Sequence, residues 1–222
     1  MHHFFDELDE LNDRLLEMSA LVENSISNSV KSVIERDSSS AAKVFYDESR
    51  INQLEIQIDN IAIRLLALQQ PKAIDLRFVT MSMKINKNLE RMGDIAMSIA
   101  ECAVSLISMP SAKPNIDVPY MAKLAQDMIR NSIDAFVRKD ADLAITVLKS
   151  DDAVDALRDT MYEEIVRFME ADPRRVHPGL EYIFIARGLE RLADHATNIA
   201  EDVLFFVQGI DVRHHANVIG EK

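Results

Sequence analysis

The sequence contains one thirteen-residue pattern twice, and this repetition constrains the fold more than any other feature. Residues 89–101 read LERMGDIAMSIAE and residues 189–201 read LERLADHATNIAE, so the copies lie 189 − 89 = 100 residues apart. Surface acids vary freely in a repeated fold unless something retains them, yet five acidic positions keep this spacing. They are Glu55/Asp155, Asp59/Asp159, Glu90/Glu190, Asp94/Asp194 and Glu101/Glu201. The repeat therefore predicts two similar halves and directs the search for function to these acids.

Composition and periodicity both predict helices. The 222 residues are 48% hydrophobic with five glycines, six prolines and no tryptophan, which suits long helices better than a turn-rich β fold. Apolar residues recur every three or four positions in six segments. These segments are residues 5–36, 40–69, 71–108, 120–138, 141–170 and 180–208. We predict an all-α fold of two pseudo-symmetric, antiparallel three-helix bundles.

Capping residues and prolines predict where the helices end. Asp37 and the three serines after it are N-cap types, which end the first helix and open the second. Pro71 is placed in the first turn of the third helix, where its missing N–H is harmless. Breaks are expected at Asp172-Pro173 and at His177-Pro178-Gly179. The resulting division is a first repeat over 1–109, a proline-rich linker over 110–119, a second repeat over 120–209 and a fraying tail over 210–222.

The charge balance excludes several partners. A formal net charge of −12 repels nucleic acids and anionic lipid surfaces. No apolar run approaches the ~20 residues that span a bilayer, and the acidic start is unlike a basic leader peptide. The single cysteine, Cys102, fits a reducing compartment and a small buried side chain. We expect a soluble, cytoplasmic protein that reaches the inner membrane only through partners.

The repeated acids form stripes along the predicted helices. At about 100° per residue, Glu90, Asp94 and Glu101 fall on one narrow stripe, which Glu190, Asp194 and Glu201 repeat. The preceding helix of each half carries a second stripe, formed by Glu48, Glu55 and Asp59 or by Asp152, Asp155 and Asp159. Stacked like charges repel, and a bound cation would reverse the sign of that interaction. Carboxylates without Cys or His suit hard ions such as Mg²⁺, Mn²⁺, Ca²⁺ or oxidised iron.

An ordinary solvated acidic face explains the same pattern. The stripe of Glu90, Asp94 and Glu101 lies almost opposite the apolar residues Met92, Ala96, Ile99 and Leu106 of the same helix. Lys87 and Arg187, each three positions before the first glutamate of its copy, are placed to neutralise part of the acidic stripes.

Catalytic sites are not indicated. A ferritin-like di-iron site needs Glu-x-x-His pairs, whereas His195 follows Glu190 by five positions. The sequence has no HExxH motif, glycine-rich phosphate loop or nucleophile elbow. We therefore predict no catalytic residues and no enzyme activity, and we interpret His195 as a polar surface or interhelical residue.

The paired LER repeats, four Glu/Asp-x-x-x-Asp motifs and the PKAIDLR element at 71–77 resemble the PhoU family over essentially the whole chain. This resemblance implies spectrin-like three-helix repeats and a homodimer. It also implies a cytoplasmic negative regulator of phosphate homeostasis, linking the ATPase subunit of the phosphate ABC transporter to the sensor histidine kinase of a two-component system. The second half departs from the family pattern because it lacks the PKAIDLR element and has His195 where the first has Ile95.

The resemblance also assigns residues. Some family members bind iron, zinc, manganese or magnesium at the duplicated motifs, which implies a metal-binding role for eight residues: Glu55, Asp59, Glu90, Asp94, Asp155, Asp159, Glu190 and Asp194. Weaker metal candidates are Glu48, Asp152, Glu101, Glu201 and Asn198. Arg77, Arg91 and Arg191 are the candidates for contacts with protein partners.

Three functional hypotheses remain at this point. The first is a non-enzymatic adaptor whose acidic faces, with or without metal, dock partners. The second is a carboxylate helix bundle that stores or senses metal. The third is a helical scaffold whose acids are merely solvated.

Overall fold

Six helices form the protein in the computed structural model, which describes residues 2–69 and 71–209. They are α1 (His2–Glu35), α2 (Ser38–Gln69), α3 (Ala73–Ile107), α4 (Val118–Arg138), α5 (Ala141–Glu170) and α6 (Val176–Gln208). A one-turn 3₁₀ helix, Pro173–Arg175, precedes α6. No strand occurs in the described ranges, so the predicted all-α fold is confirmed.

The helices form two pseudo-symmetric three-helix bundles, α1–α3 and α4–α6, as the repeat predicts. The bundles pack side by side through α3 against α6 and α1 against α4. In the central pair, Lys84 near the start of α3 bonds Asp202 near the end of α6, and Ser105 near the end of α3 bonds Glu181. Helices α3 and α6 are therefore antiparallel and form the shared centre of the molecule.

Asp37 forms the predicted cap between α1 and α2. Arg36 ends α1 in the left-handed region at φ 54°. The Asp37 carboxylate then accepts hydrogen bonds from the Ser39 N–H at 2.9 Å and the Ser40 hydroxyl at 2.7 Å. These bonds to Ser40 and Ser39 lower the pKa of Asp37 to about 2. Asp37 thus satisfies donors that an uncapped helix start would leave unpaired.

The predicted break at His177-Pro178-Gly179 is wrong, because α6 begins at Val176 and runs through all three residues. Proline is tolerated there since the N–H groups of a first helical turn have no intrahelical acceptor. A Cβ on Gly179 would overlap the side chain of Met169, so the glycine lets α5 lie directly on α6. The real break is the segment 171–175 between α5 and α6.

Two other helix starts differ slightly from the prediction. Helix α3 begins at Ala73 with Lys72 as its N-cap, so Pro71 lies outside the helix. Helix α4 begins at Val118, two positions earlier than predicted, because the Asp117 carboxylate accepts a hydrogen bond from the Tyr120 N–H at 3.0 Å. Both differences concern one turn at most and leave the helix order unchanged.

Close contacts fasten the helix ends. The Arg36 guanidinium donates to the carbonyl oxygens of Leu106 and Met109 at 2.6 and 2.7 Å, which satisfies acceptors at the end of α3. Helix α6 ends at Gln208, and its C-cap Gly209 adopts the left-handed conformation at φ 70°. The tail predicted to fray, 210–222, lies outside the described residues. Within 2–69 and 71–209, no helix combines the length and apolarity needed to cross a membrane.

Candidate functional site

Carboxylates of α2 and α3 converge on one lysine in the first half. The Lys87 ammonium lies 2.8 Å from Glu90 Oε2 and 3.3 Å from Glu55 Oε1, so it joins acids from both helices. Both glutamates are largely buried, with side-chain exposures of 16% and 22%. We call this group, completed by Glu48, Asp59 and Asp94, the first acidic face. Its carboxylates converge across neighbouring helices, and only part of their charge is neutralised.

Asp59 and Asp94 occupy different environments within the first acidic face. Asn86 Nδ2 donates to Asp59 Oδ1 and to the backbone oxygen of Glu55, each at 3.0 Å, which fixes Asp59 against α3. Asp94 is exposed and makes no ion pair among the described residues. Desolvation, with Glu90 and Glu48 nearby, raises the pKa of Asp94 above its ordinary value. Asp94 is therefore the exposed carboxylate of this face, and it has no ion-pair partner among the described residues.

Arg158 holds the equivalent acids together in the second half. Its Nη1 atom donates to Asp155 Oδ1 at 2.9 Å and to Glu190 Oε1 at 2.7 Å, and Nη2 donates to Asp159 Oδ1 at 2.9 Å. One guanidinium thus joins three carboxylates from α5 and α6. We call these acids, with Asp151, Asp152 and Asp194, the second acidic face.

Two aspartates of the second acidic face have raised pKa values. Desolvation, with Asp194 and Asp155 nearby, raises the pKa of Asp151 to about 6. Desolvation and Glu190 likewise raise the pKa of Asp194. In both cases burial is the larger cause, and the neighbouring carboxylates add to it. Asp194 thus repeats the situation of Asp94.

The counter-charges do not follow the 100-residue repeat. The position equivalent to Lys87 is Arg187, which lines a cleft between α3 and α6 instead of bridging acids. The position equivalent to Arg158 is Ile58, which is fully buried. Sequence reasoning therefore anticipated Lys87 but missed Arg158, whose only signal was its place beside Asp159 and three residues after Asp155.

The described arrangement does not fit a metal ion as it stands. No group of three or more His, Cys, Asp or Glu side chains in 2–69 and 71–209 is arranged to hold one. Lys87 and Arg158 stand between the carboxylates that would have to share it. Metal binding at the eight candidate acids stays a prediction, and it requires these two cations to move aside.

Of the weaker metal candidates, Glu48 and Asp152 belong to the acidic faces, whereas the other three do not. Glu48 accepts a hydrogen bond from Asn52 at 2.6 Å, and Asp152 is exposed on α5. Glu101 lines the α3–α6 cleft, away from Lys87. Glu201 is half-buried and Asn198 is exposed, both on α6.

His195 is an interhelical residue, which was one of the two positions predicted for it. Its ring is 8% exposed, and Nδ1 lies 2.9 Å from Asn88 Oδ1 across the boundary between the halves. Asn88 Nδ2 donates to the Lys84 carbonyl, so Oδ1 faces the ring and His195 Nδ1 is the donor. Burial, helped by Arg91 and Arg191, lowers the pKa of His195 to about 4. The ring is neutral at physiological pH.

The three partner-binding candidates are all exposed. Arg91 and Arg191 flank His195, and Arg191 also lines the α3–α6 cleft. Arg77 makes no ion pair with Asp75 or any other described carboxylate, and it lines two clefts beside Phe206. Their exposure leaves them accessible to another molecule.

Fold and faces together define a class of protein: a duplicated all-α protein whose conspicuous feature is charged helix surfaces. The chain belongs to the PhoU family, since residues 15–103 and 118–203 both match the PhoU domain. It is 40% identical over 218 residues to the phosphate-specific transport system accessory protein PhoU homolog of Pseudomonas putida, covering 96% of this chain and 85% of the relative. It is 30% identical to the phosphate-specific transport system accessory protein PhoU of Escherichia coli (strain K12), covering 95% and 88%.

Solved structures agree. The crystal structure of PhoU from Pseudomonas aeruginosa has a TM-score of 0.89 at 38% identity, covering 93% of this chain and all of that one. The PhoU structure from Streptococcus pneumoniae has a TM-score of 0.86 at 31% identity, covering 94% and 99%. The family resemblance inferred from the motifs is therefore confirmed.

Proposed function

We propose that the protein is a non-enzymatic adaptor that represses the phosphate-starvation response by linking the ATPase subunit of the phosphate ABC transporter to a sensor histidine kinase. Relatives covering nearly the whole chain are named accessory proteins of the phosphate-specific transport system, which supports an association with that transporter. The acidic faces serve as docking surfaces in this proposal, and the cytoplasmic side of the inner membrane is where docking takes place.

One observation carries the docking role: within the described residues, each half leaves an exposed aspartate without an ion-pair partner at the same repeat position. Asp94 and Asp194 are both exposed, and desolvation raises the pKa of each. A basic surface of a partner would relieve this excess negative charge. Such relief gives a free-energy gain that the isolated protein cannot obtain.

Reversing both charges tests the proposal. We expect Asp94→Lys with Asp194→Lys to release repression of phosphate-starvation genes in phosphate-rich medium, because a basic partner surface would then be repelled. A reporter gene measures repression, and far-UV circular dichroism checks that helicity is retained. The matched control is Asp13→Lys with Glu170→Lys, which makes the same charge change at exposed positions of α1 and α5. Full repression by the Asp94/Asp194 variant would contradict the docking role.

In this proposal, a metal ion competes with Lys87 and Arg158 for the carboxylates of the two acidic faces. Iron, zinc, manganese or magnesium would take the place of the two side-chain cations and change the charge that a partner meets. Elemental analysis of protein purified without a histidine tag, before and after chelation, measures this. Stoichiometric metal whose removal changes partner affinity supports a regulatory ion.

The alternative of a metal-storage or metal-sensing bundle makes a different prediction for the same analysis. The convergence of carboxylates from adjacent helices is the observation that favours it. Many ions per chain, with no effect on partner affinity, would support storage. The proposal also includes a homodimer, which sedimentation velocity at micromolar concentration would detect.

A further inference from the structure

Three helix ends meet around Phe206 and enclose a cleft of about 280 Å³. Ile74 and Arg77 come from the start of α3, Lys139 follows α4, and Phe206 and Val207 come from the end of α6. Gln208 and Gly209 complete the lining. We call this surface the Phe206 patch. The Phe206 patch lies at one end of the bundle. Lys87 and Arg158, which join the carboxylates within each acidic face, lie along the helices instead.

The charge of the Phe206 patch is positive, opposite in sign to the net charge of the molecule. Arg77 and Lys139 line the cleft, and no carboxylate of the part of the chain that the structure describes lines it. Neither cation has an ion-pair partner among the described residues, although the Lys139 ammonium lies 5.8 Å from the centre of the Phe206 ring. Asp202, which lines the neighbouring cleft, is paired with Lys84 at 2.6 Å. A chain of net charge −12 therefore keeps two uncompensated positive charges beside one apolar cleft.

Apolar side chains that line the same cleft are exposed, and packed aromatic rings lie beneath them. Ile74 is 59% exposed and Val207 is 39% exposed. Beneath them the Phe206 ring packs on Phe78, which in turn stacks on the ring of Phe136. A preformed apolar surface of this kind loses little entropy when another side chain covers it.

We propose that the Phe206 patch is the docking site for an acidic amphipathic segment of a partner protein. An apolar side chain of the segment fills the cleft, and a carboxylate is held between Arg77 and Lys139. Charge complementarity selects this occupant, because the patch offers positive charge and apolar surface together. An anionic membrane is a poorer match, since two free cations are few against the repulsion from the net charge. The inference rests on the proposed function for the identity of the partners.

Single substitutions that oppose an acidic segment test the inference. Ile74→Asp puts a carboxylate in the first turn of α3, where the helix tolerates it, and Arg77→Glu reverses the free cation. The controls are Ile63→Asp, at a 55% exposed position of α2, and Lys43→Glu, also exposed on α2. The full chain is titrated by biolayer interferometry against two purified probes, the transporter ATPase subunit and the cytoplasmic region of the sensor kinase.

We expect both patch variants to bind one of the two probes at least about tenfold more weakly than the wild type, with the controls unchanged. Unchanged binding of both patch variants, with the wild type binding normally, would overturn the inference and leave the adaptor proposal intact. Wild-type protein that binds neither probe would overturn both. Wild-type binding to phosphatidylglycerol vesicles that Arg77→Glu abolishes, without loss of probe binding, would overturn the inference in favour of a lipid surface.

Discussion

His195 is a residue whose charge state the fold controls. The ring is buried between α3 and α6, where Arg91 and Arg191 oppose a positive charge and Glu90 only partly favours it. The unfolded chain binds a proton near the ordinary histidine pKa of 6.5, whereas the folded chain does so only near 4. Stability from the neutral ring is therefore fully present above pH 6.5 and is lost as the pH falls towards 4.

Replacing His195 by isoleucine, the residue at the equivalent position 95, should remove this pH dependence. We expect the wild type to lose about 2–3 kcal/mol more unfolding free energy than His195→Ile between pH 7 and pH 4. Urea denaturation at a series of pH values measures the difference between the two proteins, so titrations that they share cancel. Parallel pH profiles would contradict a buried, neutral His195.

The candidate site could be predicted from the sequence only where the two halves share residues. The repeat identified Glu90 and Asp94 and their counterparts because the acids recur. It gave no indication of Asp151 or Arg158, whose equivalents Ile51 and Ile58 are core residues of α2. The pKa of Asp151 also depends on α6, through Asp194, which no local sequence pattern describes.

At the scale of helices, Arg158 makes the packing of α5 against α6 compatible with its charge. The guanidinium side chain is 23% exposed and joins Asp155 of α5 to Glu190 of α6. Without it, carboxylates from the two helices would face each other with no compensation. The interaction is therefore worth more than an ordinary exposed ion pair, whose contribution is typically below about 1 kcal/mol.

Removing the Arg158 charge tests this role. We expect Arg158→Gln to lower the unfolding free energy by about 1–3 kcal/mol, because Glu190 is left partly buried and unpaired. Adding Mg²⁺ or Mn²⁺ should restore more stability in this variant than in the wild type, since the ion would occupy the vacated place. Stability is measured by urea denaturation, because the denaturant guanidinium chloride would itself supply a cation.

The matched control is Arg167→Gln, which removes an exposed guanidinium paired with Glu163 and Glu164 on the same helix. It should change stability by less than about 0.5 kcal/mol and show no added response to divalent ions. An equal loss in both variants would mean that Arg158 is only an ordinary surface charge.

Helix identity was predictable from apolar spacing, whereas helix starts depended on neighbouring elements. Asp37 signals its cap through local bonds alone, so the sequence was sufficient there. Pro178 and Gly179 look like a break in one dimension, but Met169 of α5 packs where a side chain would otherwise stand. That contact is tertiary, so the local sequence pattern does not predict it.

At the scale of the whole molecule, the two halves depend on each other. A Cβ on Gly188 would lie 3.0 Å from Ile99 Cγ1, so the central helices are in direct contact. Ile95 and Ile99 of α3 are almost completely buried, and α6 passes beside both. Polar bonds such as Lys84–Asp202 add specificity to this apolar interface.

Cutting the chain between the halves should leave the fold intact. A protease site inserted after Ser111 lies in the segment between α3 and α4, where the residue is exposed. We expect the cut protein to elute as one species and to unfold in a single thermal transition, because the central interface holds the fragments together. Size-exclusion chromatography and calorimetry measure both properties.

The comparison is a fragment of residues 1–109 expressed alone. Its α3 surface would expose Ile95 and Ile99 to water, so we expect low helicity or aggregation. Fragments that separate after cleavage, each with full helicity, would show that the halves are independent domains.

The different origins of the counter-charge have a consequence for how this protein can diverge. Two copies that began with the same sequence have come to place their positive charge on different helices, Lys87 on α3 and Arg158 on α5. A mutation at either position therefore alters one copy and has no counterpart in the other. Natural selection can adjust the two surfaces separately, which allows one polypeptide to serve two distinct contacts without a second gene.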